Sequence, residues 1–313
     1  MTNQHLGFVF PGQGSQKIGM LAELAAEFPV VGQTFAEASS VLGYDLWSLV
    51  QTGTQDEINL TERTQPLLLT ASVAVWRAWQ EKNGTRPALM AGHSLGEWSA
   101  LVCAGVVDFK DAVRLVQQRG KFMQEAVPAG QGAMAAIIGL DDALILDACK
   151  KAEQGEVVAA VNFNSPGQVV IAGTATAVER ASVLCKEAGA KRALPLPVSA
   201  PFHTELMRPA ADRLAEQIVA TIFSVPEIPV VHNVTAEVET NPEKIKALMI
   251  EQIYSPVRWV ECVNTMTAKG IAITLECGPG KVLSGLNKRI NTDLVTVSVE
   301  KPEELLAALT DLA

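Results

Sequence analysis

Apolar positions along this 313-residue chain recur with two different periods, and the changes of period mark its organisation. Leu6-Gly7-Phe8-Val9-Phe10 is a short apolar run stopped by Pro11-Gly12, which predicts a buried strand. Helical spacing then fills the chain to Gly84, most clearly over Gln65 to Lys82. Ala88-Leu89-Met90-Ala91 predicts a second short strand, and Glu97-Trp98-Ser99-Ala100-Leu101-Val102-Cys103 an apolar helix. Asp108 stands where it can cap a long helix running through Ala126.

The period changes after Pro128. Gly132 to Gly139 reads as strand, Asp141 to Lys151 as helix, and Glu156 to Phe163 as strand. The turn Asn164-Ser165-Pro166-Gly167 leads to a strand over Gln168 to Gly173, a helix over Ala175 to Ala188 and a strand over Lys191 to Leu196. That βαββαβ order matches the ferredoxin-like motif. It predicts a small inserted domain over 127–198, bounded by Pro128 and by Pro195 and Pro197. A larger domain, 1–126 and 199–313, resumes with Ser199. It continues through a helix from about Glu205 to Ala220, a strand at Pro229-Val230-Val231 and helices over Pro242 to Ile253 and Val257 to Lys269. Ile271 to Cys277 is a further buried strand, and Gly278-Pro279-Gly280 turns into a helix carrying Lys281, Lys288 and Arg289. Strands alternating with helices predict an α/β fold with a parallel sheet covered on both faces.

Composition narrows the function classes. Apolar residues are 48% and charged residues 19%, ordinary for an α/β protein, and no apolar run reaches the ~18 residues of a membrane span. Met1-Thr2-Asn3-Gln4-His5 has neither a basic nor an apolar leader segment. The five cysteines are scattered with no C-x-x-C pair, which fits reduced thiols rather than a disulfide frame or a metal site. The expectation is a cytoplasmic protein with no metal and no membrane partner. A net charge of −9 argues against a nucleic-acid surface, although a local basic patch for one acidic partner remains open.

The chemistry centres on Gly92-His93-Ser94-Leu95-Gly96, a G-x-S-x-G turn between a predicted strand and a predicted helix. So tight a turn strains the serine backbone, and a Cβ at either glycine would collide with the neighbouring strand or helix. The turn would present the Ser94 hydroxyl at a helix N-terminus as a nucleophile. The plainer alternative is a capping serine in a glycine turn. A serine nucleophile needs a base, and only four histidines are available. His5 falls in a terminal segment expected to fray, His93 adjoins Ser94 and should diverge from it, and His232 fits a satisfied core histidine. His203, in a proline-bracketed loop at a helix start, is the choice. No Asp or Glu stands in a motif suited to complete a triad, so a Ser94–His203 dyad with a carbonyl orienting the imidazole is expected. Pro11-Gly12-Gln13-Gly14-Ser15-Gln16 lacks the spacing of a phosphate loop, but Gln13 could still deliver a backbone N–H. Arg119, beside a helical glycine, fits an ordinary surface ion pair on pattern alone.

Taken together, the Pro11–Gln16 loop, Gly92–Glu97, Gln118-Arg119-Gly120, Asn162–Gln168, Phe202-His203 and Gly278-Pro279-Gly280-Lys281 resemble bacterial malonyl-CoA:acyl carrier protein transacylases, in the same order along nearly the whole chain. The resemblance implies an α/β-hydrolase-like core with a ferredoxin-like insert. It also implies ping-pong transfer of a malonyl group from malonyl-CoA through Ser94 to the phosphopantetheine thiol of holo-acyl carrier protein, feeding fatty acid biosynthesis. By the same carry-over His203 is the general base, and the backbone N–H groups of Gln13 and Leu95 form the oxyanion hole. Arg119 pairs with the free malonyl carboxylate, and the Gln252 carbonyl holds His203. No tightly bound cofactor is implied; coenzyme A enters and leaves as part of substrate and product. Trp98 replaces a tyrosine common in the family, beside the expected site, and Phe202 stands where acyltransferases vary.

The carrier in this family is acidic, so Lys281, Lys288 and Arg289 are candidate carrier contacts, against the alternative of a solvated helix end. The chain is expected to act as a monomer. Competing readings are a serine thioesterase or esterase with water as acceptor, a polyketide-type acyltransferase with another extender unit, and an inactive carrier-binding module.

Overall fold

The computed structural model describes residues 2–312 apart from Ser199. Met1, Ser199 and Ala313, which delimit the expected domain segments, therefore lie outside the described residues. Five strands form a parallel sheet: β1 (Thr2–Phe10), β2 (Arg86–Gly92), β7 (Val230–Val231), β8 (Ile273–Glu276) and β9 (Val295–Ser298), in the order β7-β2-β1-β8-β9. The central strands are apolar on both faces because helices cover both, which is why Leu6 to Phe10 reads as an unbroken run and is wholly buried. Phe8 stands opposite Met90 on one side and Leu275 on the other.

Four strands form a second, antiparallel sheet: β3 (Gly132–Ile138), β4 (Val158–Ser165), β5 (Gln168–Thr174) and β6 (Arg192–Pro195), in the order β4-β5-β3-β6. The helices Asp142–Ala152 and Ala175–Glu187 pack against it around Ile137, Ile145, Val169, Ile171 and Cys185. This is the element order read from the sequence, with most ends within two residues.

The antiparallel sheet is tied to the larger part of the chain through the segment before the helix Trp259–Ala268. Asn162 of β4 bridges to Val257, with Val257 N–H bonded to the Val161 carbonyl at 2.8 Å and Phe163 N–H to the Val257 carbonyl at 3.0 Å. On the other side, the helices Thr61–Glu81 and Phe109–Glu125 pack so closely that a Cβ on Gly120 would lie 2.4 Å from the Thr61 carbonyl oxygen. That contact is the packing reason for a glycine inside a helix, and it fixes Arg119 next to it.

Several expectations need correction. The helix expected from Gln65 starts at Thr61, because Thr61 and Thr64 are buried in tertiary contacts that extend it by one turn. His5 is not frayed: it lies in β1, and its Nδ1 meets the Gly270 carbonyl at 3.0 Å. Lys281 precedes the helix Val282–Ile290 as its N-cap rather than riding on it. The segment after His203 opens with a short 3₁₀ turn, Glu205–Met207, before the helix Arg208–Ala220. β9 and the helix Pro302–Asp311 have no counterpart among the expected elements; four residues at a sheet edge, mostly half-exposed, carry too weak a pattern to announce a strand. Among the described residues no helix is long and apolar enough to cross a membrane. Nor do these residues include a group of three or more His, Cys, Asp or Glu arranged to hold a metal ion. All five cysteines are free and buried.

Candidate active site

The turn between β2 and the helix Leu95–Cys103 is as tight as its two glycines require. A Cβ on Gly92 would fall 2.0 Å from the Gly96 carbonyl group, and one on Gly96 would fall 2.0 Å from the Phe10 carbonyl oxygen. Between them Ser94 takes φ +51° and ψ −108°, a conformation a non-glycine residue adopts only when its surroundings enforce it. Asn233 supplies that enforcement. Its Oδ1 accepts the Ser94 N–H at 2.8 Å, and its Nδ2 donates to the Gly92 carbonyl at 2.7 Å.

His203 reaches the same point from the loop that follows the antiparallel sheet. Its own φ is +64°, and Thr204 locks the loop by donating its hydroxyl to the Pro201 carbonyl at 2.7 Å. The ring spans two partners: Nδ1 lies 2.9 Å from the Gln252 carbonyl oxygen and Nε2 lies 2.8 Å from Ser94 Oγ. A carbonyl can only accept, so Nδ1 carries the proton and Nε2 presents its lone pair to the serine hydroxyl. Burial, reinforced by the nearby Arg119 charge, pushes the imidazole pKa down to about 3, so the ring is neutral at physiological pH. Both of these hydrogen-bond partners, Ser94 Oγ and the Gln252 carbonyl, are neutral.

Arg119 is 1% exposed, not the surface residue its pattern allowed. Nη1 donates to Gln65 Oε1 at 2.8 Å, while Nη2 donates to Gln252 Oε1 at 3.0 Å and to Ser94 Oγ at 3.3 Å. All three partners are neutral, and Nε has none among the described residues. Burial lowers the guanidinium pKa to about 10, with the Glu97 charge opposing, so it stays cationic near neutral pH. A buried cation held only by neutral groups is costly unless an anion joins it.

These groups line one cavity of about 120 Å³, room for a small acyl group. Gln13, Leu95, Ser94, His203 and Arg119 face it, with Phe202 and Asn162 in its wall. Neither the Gln13 nor the Leu95 backbone N–H has a partner among the described residues, so both remain available to a ligand. His93 diverges from Ser94 as expected and bonds Asn164 Oδ1 through Nε2 at 2.7 Å. His232 is a core histidine, but only half satisfied: Nδ1 lies 2.7 Å from Glu97 Oε1, whereas the buried Nε2 has no partner among the described residues. Trp98 is not among the residues lining the cavity: it is fully buried and meets Phe223 edge to face. Sequence reasoning gave no role to Glu97, which closes the Gly92–Glu97 motif, nor to Asn233, Gln65 and the side chain of Gln252, which stand in no local motif.

Of the three candidate carrier contacts, Lys281 is exposed and paired with Glu304 at 2.7 Å, and Arg289 donates to Gln168 Oε1 at 2.6 Å. Lys288 is exposed on the last turn of the same helix. The three lie along one short segment, and none is among the residues lining the cavity.

Comparison with known proteins is consistent throughout the chain. The acyl transferase domain family matches residues 7–292. The malonyl CoA-acyl carrier protein transacylase of Escherichia coli K12 is 61% identical over 302 residues, 96% of this chain and 98% of that protein. That of Bacillus subtilis is 51% identical over 308 residues, 98% and 97% respectively. Among solved structures, an acyl carrier protein S-malonyltransferase from Vibrio cholerae superposes with a TM-score of 0.95 at 62% identity, covering 97% of this chain and 99% of that one. A malonyl-transacylase in complex with its type II polyketide synthase acyl carrier protein gives 0.97 at 60% identity, covering 98% and 99%.

Proposed function

The chain belongs to the acyl transferase family, and from that premise we propose that it moves a malonyl group from malonyl-CoA to acyl carrier protein through a malonyl-serine at Ser94. The observation that carries the substrate is Arg119, a buried cation with only neutral partners beside the nucleophile. A malonyl thioester brings a free carboxylate to meet it with paired hydrogen bonds, whereas an acetyl group would leave it unmatched.

The reaction is a double displacement. In the first half the Ser94 hydroxyl gives its proton to His203 Nε2 as Oγ attacks the thioester carbonyl. The developing oxyanion is held by the N–H groups of Gln13 and Leu95, the latter at a helix N-terminus. The carbon–sulfur bond then breaks, and the leaving coenzyme A sulfur takes the proton from His203. In the second half the phosphopantetheine thiol gives its proton to His203 and attacks the acyl-serine, and Ser94 Oγ leaves with that proton. The Gln252 carbonyl keeps the ring in the tautomer both halves require. Phe202 in the cavity wall is the group that would restrict branched acyl units.

The finer architecture belongs to the same reading. The parallel-sheet part is assigned as an α/β-hydrolase-like core, 1–126 and 199–313, and the antiparallel unit, 127–198, as a ferredoxin-like domain inserted into it. The enzyme is taken to work as a cytoplasmic monomer with no tightly bound cofactor, meeting its carrier through Lys281, Lys288 and Arg289.

The test is intact-mass spectrometry of the chain after exposure to malonyl-CoA, followed by addition of holo-acyl carrier protein. One malonyl adduct, lost in Ser94→Ala and transferred to carrier, is the expected result. Absence of the adduct points to an inactive binding module, and release as free malonate in the presence of carrier points to a thioesterase.

A further inference from the structure

Glu97 takes no part in the steps above, yet it lies one helical turn beyond Ser94 and is 1% exposed. Its Oε1 accepts from His232 Nδ1 at 2.7 Å. Its Oε2 accepts from Gln252 Nε2 at 2.7 Å and from the Asn233 backbone N–H at 3.1 Å. Each of those last two partners governs a reacting group.

Gln252 is the clearer case. A glutamine amide can turn over and exchange its oxygen and nitrogen unless its neighbours forbid it. Here Nε2 faces two acceptors, Glu97 Oε2 and, at 3.0 Å, the Ser94 carbonyl, so Oε1 is left facing Arg119 Nη2. Turned over, the amide would set oxygen against oxygen twice and nitrogen against the guanidinium. The same residue's main-chain carbonyl holds His203. Asn233, fixed at its N–H by Glu97, places its side chain on the strained Ser94 turn.

We propose that Glu97 is the positioning residue of this site, setting Arg119 and His203 through Gln252 and the Ser94 turn through Asn233. It touches no substrate; it makes one geometry out of three groups contributed by distant segments. The proposal rests on the acyl-serine reading given above.

The test is single-turnover acylation of the full chain, followed by rapid quench and intact mass, with malonyl-CoA and acetyl-CoA in parallel and melting temperatures alongside. Glu97→Ala is expected to slow malonylation by about ten- to a hundredfold, the scale of a small misplacement of reacting groups, and to narrow the preference for malonyl over acetyl. Glu97→Gln should recover most of both, because its amide oxygen can still serve Gln252 and Asn233 while its NH₂ turns to His232. A wild-type rate in Glu97→Ala overturns the proposal. So does a slowed rate with unchanged malonyl preference, which is what loosened packing alone would produce, or a Glu97→Gln no better than Glu97→Ala. If Glu97→Ala does not fold, Gln252→Leu removes the amide that Glu97 holds and leaves the main-chain carbonyl. It should narrow the preference equally, and an unchanged preference there is the overturning result. Wild-type chain that takes no malonyl, or Ser94→Ala that takes as much as wild type, signals instead that the acyl-serine reading has failed.

Discussion

The antiparallel unit over 132–195 and the site at the end of the parallel sheet solve opposite problems with the same residue types. In the antiparallel unit the interior is apolar, and its ion pairs lie at the surface: Arg180 with Glu156 at 2.6 Å, Lys150 with Glu153 at 2.8 Å, Lys151 with Asp147 at 2.6 Å. At the site, Glu97, Arg119, His203, His232, Asn233 and Gln252 are all buried, and two residues carry positive φ. The first arrangement needs nothing from outside to be complete. The second leaves a buried cation whose hydrogen-bond partners are all neutral, with no partner for its Nε among the described residues, and in the function proposed above an anionic acyl group completes it. Polar groups sink into a fold at a cost, so a cluster like this is maintained for the ligand it receives.

The contrast can be broken first at the base. His203→Ala should lower the rate of Ser94 malonylation by about 10²–10⁴-fold, measured in single turnover; a loss of less than tenfold would mean that Nε2 is not the proton acceptor. Next comes the cation. Arg119→Ala should lose about 1.5–3 kcal/mol of transition-state stabilisation for malonyl transfer while tolerating acetyl better, and unchanged selectivity would remove Arg119 from the substrate. The same change in the antiparallel unit, Arg180→Ala, removes a part-exposed pair and the bonds that guanidinium gives to the Ala152 and Glu153 carbonyls; it should cost about 1–2 kcal/mol of stability by denaturant melting and leave acyl selectivity alone.

The pH dependence sharpens the comparison further. The folded His203 pKa, about 3, lies below the ordinary 6.5, so between those values the unfolded chain binds a proton that the native site refuses. Stability from this group is unaffected above pH 6.5 and is lost progressively as pH falls from there toward about 3. Denaturant midpoints in wild type and His203→Ala should diverge over that window, and the base itself should stay competent through pH 6.5 in acylation assays. The smallest effect is expected at the carrier face. Charge reversal at Lys288 and Arg289 should raise the KM for carrier and not for malonyl-CoA, and an equal effect on both would defeat the assignment.

How much is legible varies with how local the cause is. The G-x-S-x-G turn announces itself because two glycines are demanded within five residues, and the antiparallel unit because its periods and turns are read along one continuous stretch. His203 follows from elimination among four histidines, without a motif of its own. Gln252, Leu95, the oxyanion role of Gln13 and the substrate role of Arg119 come only with the family resemblance, and Arg119 by pattern alone reads as a surface residue. Glu97 belongs to the Gly92–Glu97 motif, but its place in the first turn of a helix gives no hint of its partners, and Asn233 follows a two-residue strand with no motif at all.

By itself the sequence determined the order of most strands and helices and the strained serine turn, and it offered no Asp or Glu in a motif suited to a triad, since each follows from residues a few positions apart. Only the tertiary structure decided which way those groups face. Ser94 meets His203 across 109 positions and Gln252 across 158, and Arg119 meets Gln65 across 54. Hydrogen bonds at such separations depend on how sheets and helices pack, whereas the periods read along a chain report only which face of each element is buried.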